Sequence, residues 1–139
     1  MQTRNGFTIL VGEDEREVRG YLQMALKCLG NSVELAQDGE EVLSCLRSSH
    51  GEIDAVLLDV MMPNRDGLET LCEIRSFDPE LPVIMISGIA STINIVSAMK
   101  SGATDFLCKP VAHEDLQRSI ARALERNGCS SADRPGVLP

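Results

Sequence analysis

The side chains best suited to chemistry are oxygen and nitrogen groups that follow short apolar runs. Glu13 and Asp14 come directly after Phe7-Thr8-Ile9-Leu10-Val11-Gly12, and Asp59 closes Val56-Leu57-Leu58. Ser87 closes Pro82-Val83-Ile84-Met85-Ile86, and Lys109 follows Asp105-Phe106-Leu107-Cys108. Three carboxylates brought to one point repel, so at least one takes up a proton unless a cation is present. With no histidine or cysteine among them, these oxygen donors suit Mg2+ better than zinc. A carboxylate, a divalent cation, a lysine and a hydroxyl facing one point also describe a site for a tetrahedral oxyanion. Asp59 could then attack phosphorus, with the ion and Lys109 neutralising the equatorial oxygens and Ser87 bonding to the attached phosphoryl group.

For these residues to meet, the runs that carry them must be neighbouring parallel strands. Strands are expected at 7–12, 32–36, 55–59, 82–87 and 105–109. Between them, apolar residues recur at helical spacing: Val18, Leu22, Ala25, Leu26 and Leu29; Val42, Leu43 and Leu46; Leu68, Leu71, Cys72 and Ile74; Ile93, Val96 and Met99; Leu116, Ile120 and Leu124. Gly30-Asn31, Asp78-Pro79 and Gly102 supply helix stops. Ile95 lies off the stripe of the fourth helix and is expected on the surface. Five strands alternating with five helices imply an α/β domain, a parallel sheet covered on both faces through right-handed crossovers. Strand carboxyl ends share one edge of such a sheet, where open α/β folds place ligands.

Each acid also has a plain structural reading. Asp14 with Glu17, Asp38 with Glu41 and Asp66 with Glu69 fit the D-x-x-E form of a helix cap, worth about 1 kcal/mol each. Asp38 and Asp66 read as caps. Asp14 fits a cap and an ion ligand equally, and the two roles are compatible. Asp59 resists the reading, because Val60-Met61-Met62-Pro63 does not begin a helix.

The 139 residues suit one domain, and a 43% apolar share permits an ordinary core. A net charge of −8 argues against docking on nucleic acid or an anionic membrane and favours cations as small partners. The five cysteines, Cys28, Cys45, Cys72, Cys108 and Cys129, form no C-x-x-C pair and read as reduced thiols of a cytoplasmic protein. With no signal-like amino end and no run near the ~20 residues of a membrane span, the chain is expected to be soluble and unexported. His50 and His113 read as surface residues. Residues 127–139, rich in Ser, Gly and Pro, read as a tail or the start of a linker.

From about Phe7 to Arg126 the sequence resembles the receiver domain of two-component response regulators. The resemblance is carried by Glu13-Asp14, Leu57-Leu58-Asp59-Val60-Met61-Met62-Pro63 with Asp66-Gly67, Ser87-Gly88, and Gly102-Ala103 leading to Asp105-Phe106-Leu107-Cys108-Lys109-Pro110. It implies a flavodoxin-like doubly wound (βα)5 fold with strand order 2-1-3-4-5, residues 1–126 forming the receiver. It implies that Asp59 accepts a phosphoryl group from a sensor histidine kinase or phosphotransfer protein. Asp14, Asp59 and the Met61 carbonyl would be Mg2+ ligands, with Glu13 acting mainly through water. Ser87 and Phe106 would form a switch pair, Lys109 would pair with the phosphoryl group, and the Lys109-Pro110 bond would be cis. The protein would be a phosphoacceptor rather than a turnover enzyme. Its readout would be the surface of the fourth helix, fifth strand and fifth helix, through a phosphorylation-dependent homodimer or an output partner, without direct nucleic-acid contact. Met61 and Ile89 stand where the family tunes phosphoryl lifetime; both are apolar, which implies a long-lived phosphorylated state. The run from Ala98 to Leu107 is similar to receivers of transcription regulators, including those acting with sigma-54.

Three rival readings share parts of this pattern. A phosphatase of the haloacid dehalogenase type needs a second acid two residues after its nucleophile, where Met61 stands. A flavin carrier needs glycine or hydroxyl donors after the first strand, where this chain is acidic. A binding module that is never phosphorylated would not need every residue of the set.

Overall fold

In a computed structural model the protein is described at residues 6–49, 51–63, 66–89 and 92–126. Five strands alternate with five helices: β1 Thr8–Gly12, α1 Arg16–Cys28, β2 Ser32–Ala36, α2 Gly39–Ser49, β3 Ala55–Asp59, α3 Gly67–Phe77, β4 Val83–Ser87, α4 Thr92–Lys100, β5 Asp105–Cys108 and α5 His113–Arg126. The strands form one parallel sheet in the order β2-β1-β3-β4-β5, the doubly wound arrangement expected. His50 and the tail 127–139, Cys129 included, lie outside the described residues.

Why the runs are apolar without alternation is plain from the layers. Successive side chains of a strand point to opposite faces, so a strand covered on both sides needs apolar residues at every position. Leu10, Val56, Leu58, Val83 and Met85 face the layer of α2, α3 and α4, packing with Val42, Leu43, Leu71, Ile74 and Ala98. Ile9, Val11, Leu57, Ile84 and Ile86 face α1 and α5, packing with Leu22, Leu26, Leu116 and Ile120. Every residue of β3 and β4 is buried, whereas β2 and β5 are partly exposed edges.

Two of the three expected caps form. Asp38 and Asp66 each accept the amide of the residue three on, Glu41 and Glu69, at 2.9 Å. The third does not: the cap position of α1 is Glu15, with no side-chain cap, and the Asp14 carboxylate does not cap the helix it precedes. Gly30 and Gly102 take positive φ at the helix stops, where L side chains are strained. Cys28, Cys45, Cys72 and Cys108 are free thiols.

Helix α4 corrects the expected stripe. Ile93, Val96 and Met99 are 76%, 43% and 46% exposed, while Ile95 is half-buried and Ala98 fully buried. The helix is apolar on both sides, so periodicity alone does not choose its inner face. The smallest side chain faces the core and lets the helix backbone approach the sheet. Ala103 then donates its amide to the Ala98 carbonyl at 3.0 Å, fixing the rotation where α4 turns toward β5.

Candidate functional site

The carboxyl edge of the sheet gathers the residues that the sequence singles out. The Glu13 amide extends the β1–β2 ladder by one bond, to the Ala36 carbonyl at 3.0 Å, and the Val60 amide extends β3–β4, to the Ile86 carbonyl at 2.9 Å. Lys109 likewise donates its amide to the Ser87 carbonyl at 2.9 Å, one residue past the end of β5. The site therefore sits on backbone still held by the sheet. Glu13 is 0% exposed and Asp59 2%, while Asp14 is exposed beside them.

Lys109 is shared. Its Nζ lies 2.9 Å from Asp59 Oδ2, 3.0 Å from Glu13 Oε1, 3.3 Å from Glu13 Oε2 and 3.4 Å from Glu15 Oε1. The approach to Glu13 Oε1 is close enough for an ion pair but makes no hydrogen bond, and this buried oxygen has no hydrogen-bond partner. The remaining carboxylate oxygens take amides from the loops: Glu15 donates to Glu13 Oε2 at 3.0 Å and Met61 to Asp59 Oδ1 at 3.2 Å. One oxygen from each of Glu13, Asp14 and Asp59 lies within 4.8 Å of the others.

Burial dominates Glu13. It pushes the carboxyl pKa up from 4.5 to about 7, against the Glu15 amide and Lys109, with the Asp59 charge adding to the rise. For Lys109 burial alone would lower the pKa, but hydrogen bonds and charge from Asp59 and Glu13 outweigh it and hold the ammonium well above its ordinary range. One ammonium thus serves Glu13, Glu15 and Asp59, while the cluster of Glu13, Asp14 and Asp59 keeps Asp14 without it and one buried Glu13 oxygen without a hydrogen bond. That donor set fits a hard divalent cation with oxygen ligands.

Ser87 is buried at the end of β4, and its hydroxyl is engaged away from Asp59. It donates to the Ile89 carbonyl at 3.2 Å and accepts the Ile89 amide at 3.0 Å, closing a turn over Gly88. Phe106 is half-buried on β5 and packs against the core of the α2–α4 layer. The Lys109-Pro110 bond is cis. Met61 and Ile89 are exposed at 58% and 57%. His113 is exposed at the start of α5.

Arg19 escaped sequence reasoning, and Gly67 entered it only as part of the Asp66-Gly67 pair, without its contact to Asp59. Gly67 opens α3 against the backbone of Asp59: a Cβ there would overlap the Asp59 carbonyl oxygen and lie 2.8 Å from Val60 Cα. Its signal is the Asp-Gly pair, which also marks any turn. Arg19 donates from Nη1 to the carbonyls of Glu13 at 2.9 Å and Asp14 at 3.2 Å. By spacing, Arg19 reads as an ordinary i, i+4 partner of Glu15 on a helix surface.

Comparison with known proteins agrees with this geometry. Residues 9–121 match the response regulator receiver domain family. Among curated proteins, the response regulator MprA of Mycolicibacterium vanbaalenii is 43% identical over 118 residues, 85% of this chain and 50% of that protein. The chain spans about half the length of the curated relatives it matches. Among solved structures, a response regulator receiver domain protein from Clostridium thermocellum is 34% identical, with a TM-score of 0.82 over 86% of this chain and 95% of that one. A CheX–CheY–BeF3–Mg2+ complex from Borrelia burgdorferi contains a chain 28% identical, also with a TM-score of 0.82, covering 85% of this chain and 89% of that one.

Proposed function

The chain belongs to the response regulator receiver family, a family of two-component signalling switches, and on that premise we propose that Asp59 is its phosphoacceptor. The observation that carries this reading is the pairing of a buried Asp59 with Lys109 at 2.9 Å inside a cluster of three carboxylates. An Asp59 carboxylate oxygen forms a bond to the phosphorus of a partner's phosphohistidine. The phosphorus–nitrogen bond breaks, and the imidazole keeps the electron pair. Lys109 is already within bonding distance of the carboxylate and stays beside the new phosphoryl oxygens, where it offsets their charge.

Glu13, Asp14, Asp59 and the Met61 carbonyl would hold Mg2+, and the orphaned Glu13 oxygen supports that assignment. When bound, the ion neutralises charge on the transferring group. The similar Borrelia burgdorferi chain, seen with BeF3 and Mg2+, favours the same reading. Ser87 would release Ile89 and bond to the phosphoryl group, and Phe106 would turn inward as the β4–α4 loop moves. The exposed apolar face of α4, with β5 and α5, would then dock a second copy or an output partner. Exposed apolar Met61 and Ile89 offer an attacking water no hydrogen-bonding side chain, so the phosphorylated state should be long-lived.

The test is intact mass after incubation with Mg2+ and a small acyl-phosphate donor, with Asp59→Asn alongside. A single added phosphoryl group on the wild type and none on the variant is expected. No addition to the wild type, or equal addition to both, removes the assignment.

A further inference from the structure

Helix α1 follows β1 after only three residues, Glu13, Asp14 and Glu15, all acidic. Such a turn is under electrostatic pressure to spread its side chains apart. An Asp before a helix ordinarily relieves part of this by accepting first-turn amides. Here that cap is missing, and the Asp14 carboxylate instead approaches those of Glu13 and Asp59. The Glu15 amide, which donates to Glu13 Oε2 at 3.0 Å, closes the turn on one side, and the peptide groups of Asp14 need a further hold.

The hydrogen bonds single out Arg19. Its Nη1 reaches back from the first turn of α1 to the carbonyls of Glu13 and Asp14. These oxygens belong to the peptide groups immediately before and after the Asp14 Cα. Pinning both planes fixes the direction in which the Asp14 side chain leaves the backbone. The anchor is stiff, because α1 is seated in the core through Leu22, Ala25 and Leu26, and the Arg19 amide is bonded to the Glu15 carbonyl at 2.9 Å. Glu15, the acid four residues earlier, sends its carboxylate toward Lys109 instead.

We propose that Arg19 is a positioning residue for the divalent-cation site, holding the uncapped turn so that Asp14 keeps its carboxylate aimed at Glu13 and Asp59. This rests on the Mg2+ reading above. Arg19 touches neither the ion nor the phosphoryl group; it acts through the backbone of two acids. Partners of metal ligands commonly govern affinity in this indirect way. Mg2+ demands near-ideal octahedral geometry and Ca2+ tolerates irregular ligands, so a loosened turn should penalise Mg2+ more. Both bonds leave one nitrogen, so a lysine ammonium has donors enough for the two carbonyls, but its flexible stem holds them less rigidly than the planar guanidinium and should restore only part of the effect.

The experiment is calorimetric titration of the full chain with Mg2+ and with Ca2+ for wild type, Arg19→Met, Arg19→Lys and Asp14→Asn, alongside thermal unfolding in chelator. Arg19→Met should weaken Mg2+ binding about tenfold, Ca2+ binding clearly less, and Arg19→Lys should fall between. Wild-type Mg2+ affinity in Arg19→Met, with Asp14→Asn impaired, overturns the role of Arg19 and leaves the ion site standing. Equal loss of both cations overturns it too, since general loosening of the fold does not discriminate between ions. No Mg2+ binding by the wild type removes the site and this inference together. If Arg19→Met does not fold, Arg19→Lys carries the same comparison, and an unchanged Mg2+ to Ca2+ ratio there overturns the proposal.

Discussion

The carboxyl edge of the sheet and the outer face of α4 invert the usual distribution of side chains in opposite directions. At the edge, Glu13 and Asp59 are charged-type residues with almost no exposure. On α4, Ile93, Val96 and Met99 are apolar residues facing outward. Both arrangements cost stability, the first through desolvation and the second through lost burial. They differ in what relieves the cost. The edge is served from within the chain, by Lys109, the Met61 and Glu15 amides and a neighbouring carboxyl able to hold a proton. The α4 face has no such internal cover among the described residues. The proposed phosphoacceptor site can therefore be complete in one copy of the chain, whereas the apolar face gains its burial only against another surface.

The comparison is broken most severely by disturbing the backbone under Asp59. Gly67→Ala places a methyl group on the Asp59 carbonyl and the Val60 backbone, neither of which can swing aside. It should lose about 3 kcal/mol in urea unfolding, the upper end of the usual cost of overfilling, and most phosphoryl incorporation by intact mass. Wild-type behaviour in both would mean that the edge is less tightly built than its contacts indicate.

The internal relief at Glu13 has a pH signature. Its folded-state pKa of about 7 lies above the ordinary 4.5, so the folded chain holds a proton that the unfolded chain releases. This contribution is full below pH 4.5 and is lost as pH rises to about 7. Without divalent ions the loss should approach about 3 kcal/mol at the limit set by that shift. Glu13→Gln should flatten this part of the pH profile in denaturant titrations. Parallel profiles for the two proteins would show that burial does not protonate Glu13.

Substitutions on opposite sides of α4 sharpen the contrast at lower energies. Ala98→Leu should cost about 2 kcal/mol by overfilling the core, whereas Ile93→Ser should change stability by less than about 0.5 kcal/mol. Ile93→Ser should nonetheless weaken any self-association induced by a phosphoryl mimic, measured by sedimentation. Equal dimer affinity with and without the mimic would remove the docking role of this face.

How much of this was legible in residue order depends on how far apart the interacting groups are. Asp59 stands out locally because an acid that ends an all-apolar run is improbable in a buried strand without a reason. Asp38 and Asp66 are equally readable, since a cap and its amide are three residues apart. Asp14 has the same local signature as those two and a different fate. Glu13 and Asp14 are consecutive acids, yet one is buried and the other exposed, and nothing local separates them.

By itself, then, the sequence determined the five alternating units, their two-sided burial, the capped starts of α2 and α3, and the set of groups at the strand ends. All follow from periodicity and from contacts within a few residues. Only the tertiary structure decided how those groups are used. Lys109 meets Asp59 across 50 residues and Glu13 across 96, so its division among the acids is a property of the closed sheet. Arg19 became a clamp on two carbonyls because β1 and α1 turn back on each other there. Helix α4 turned Ile93, Val96 and Met99 outward because close approach to the sheet favours Ala98, a choice made by packing and not by period.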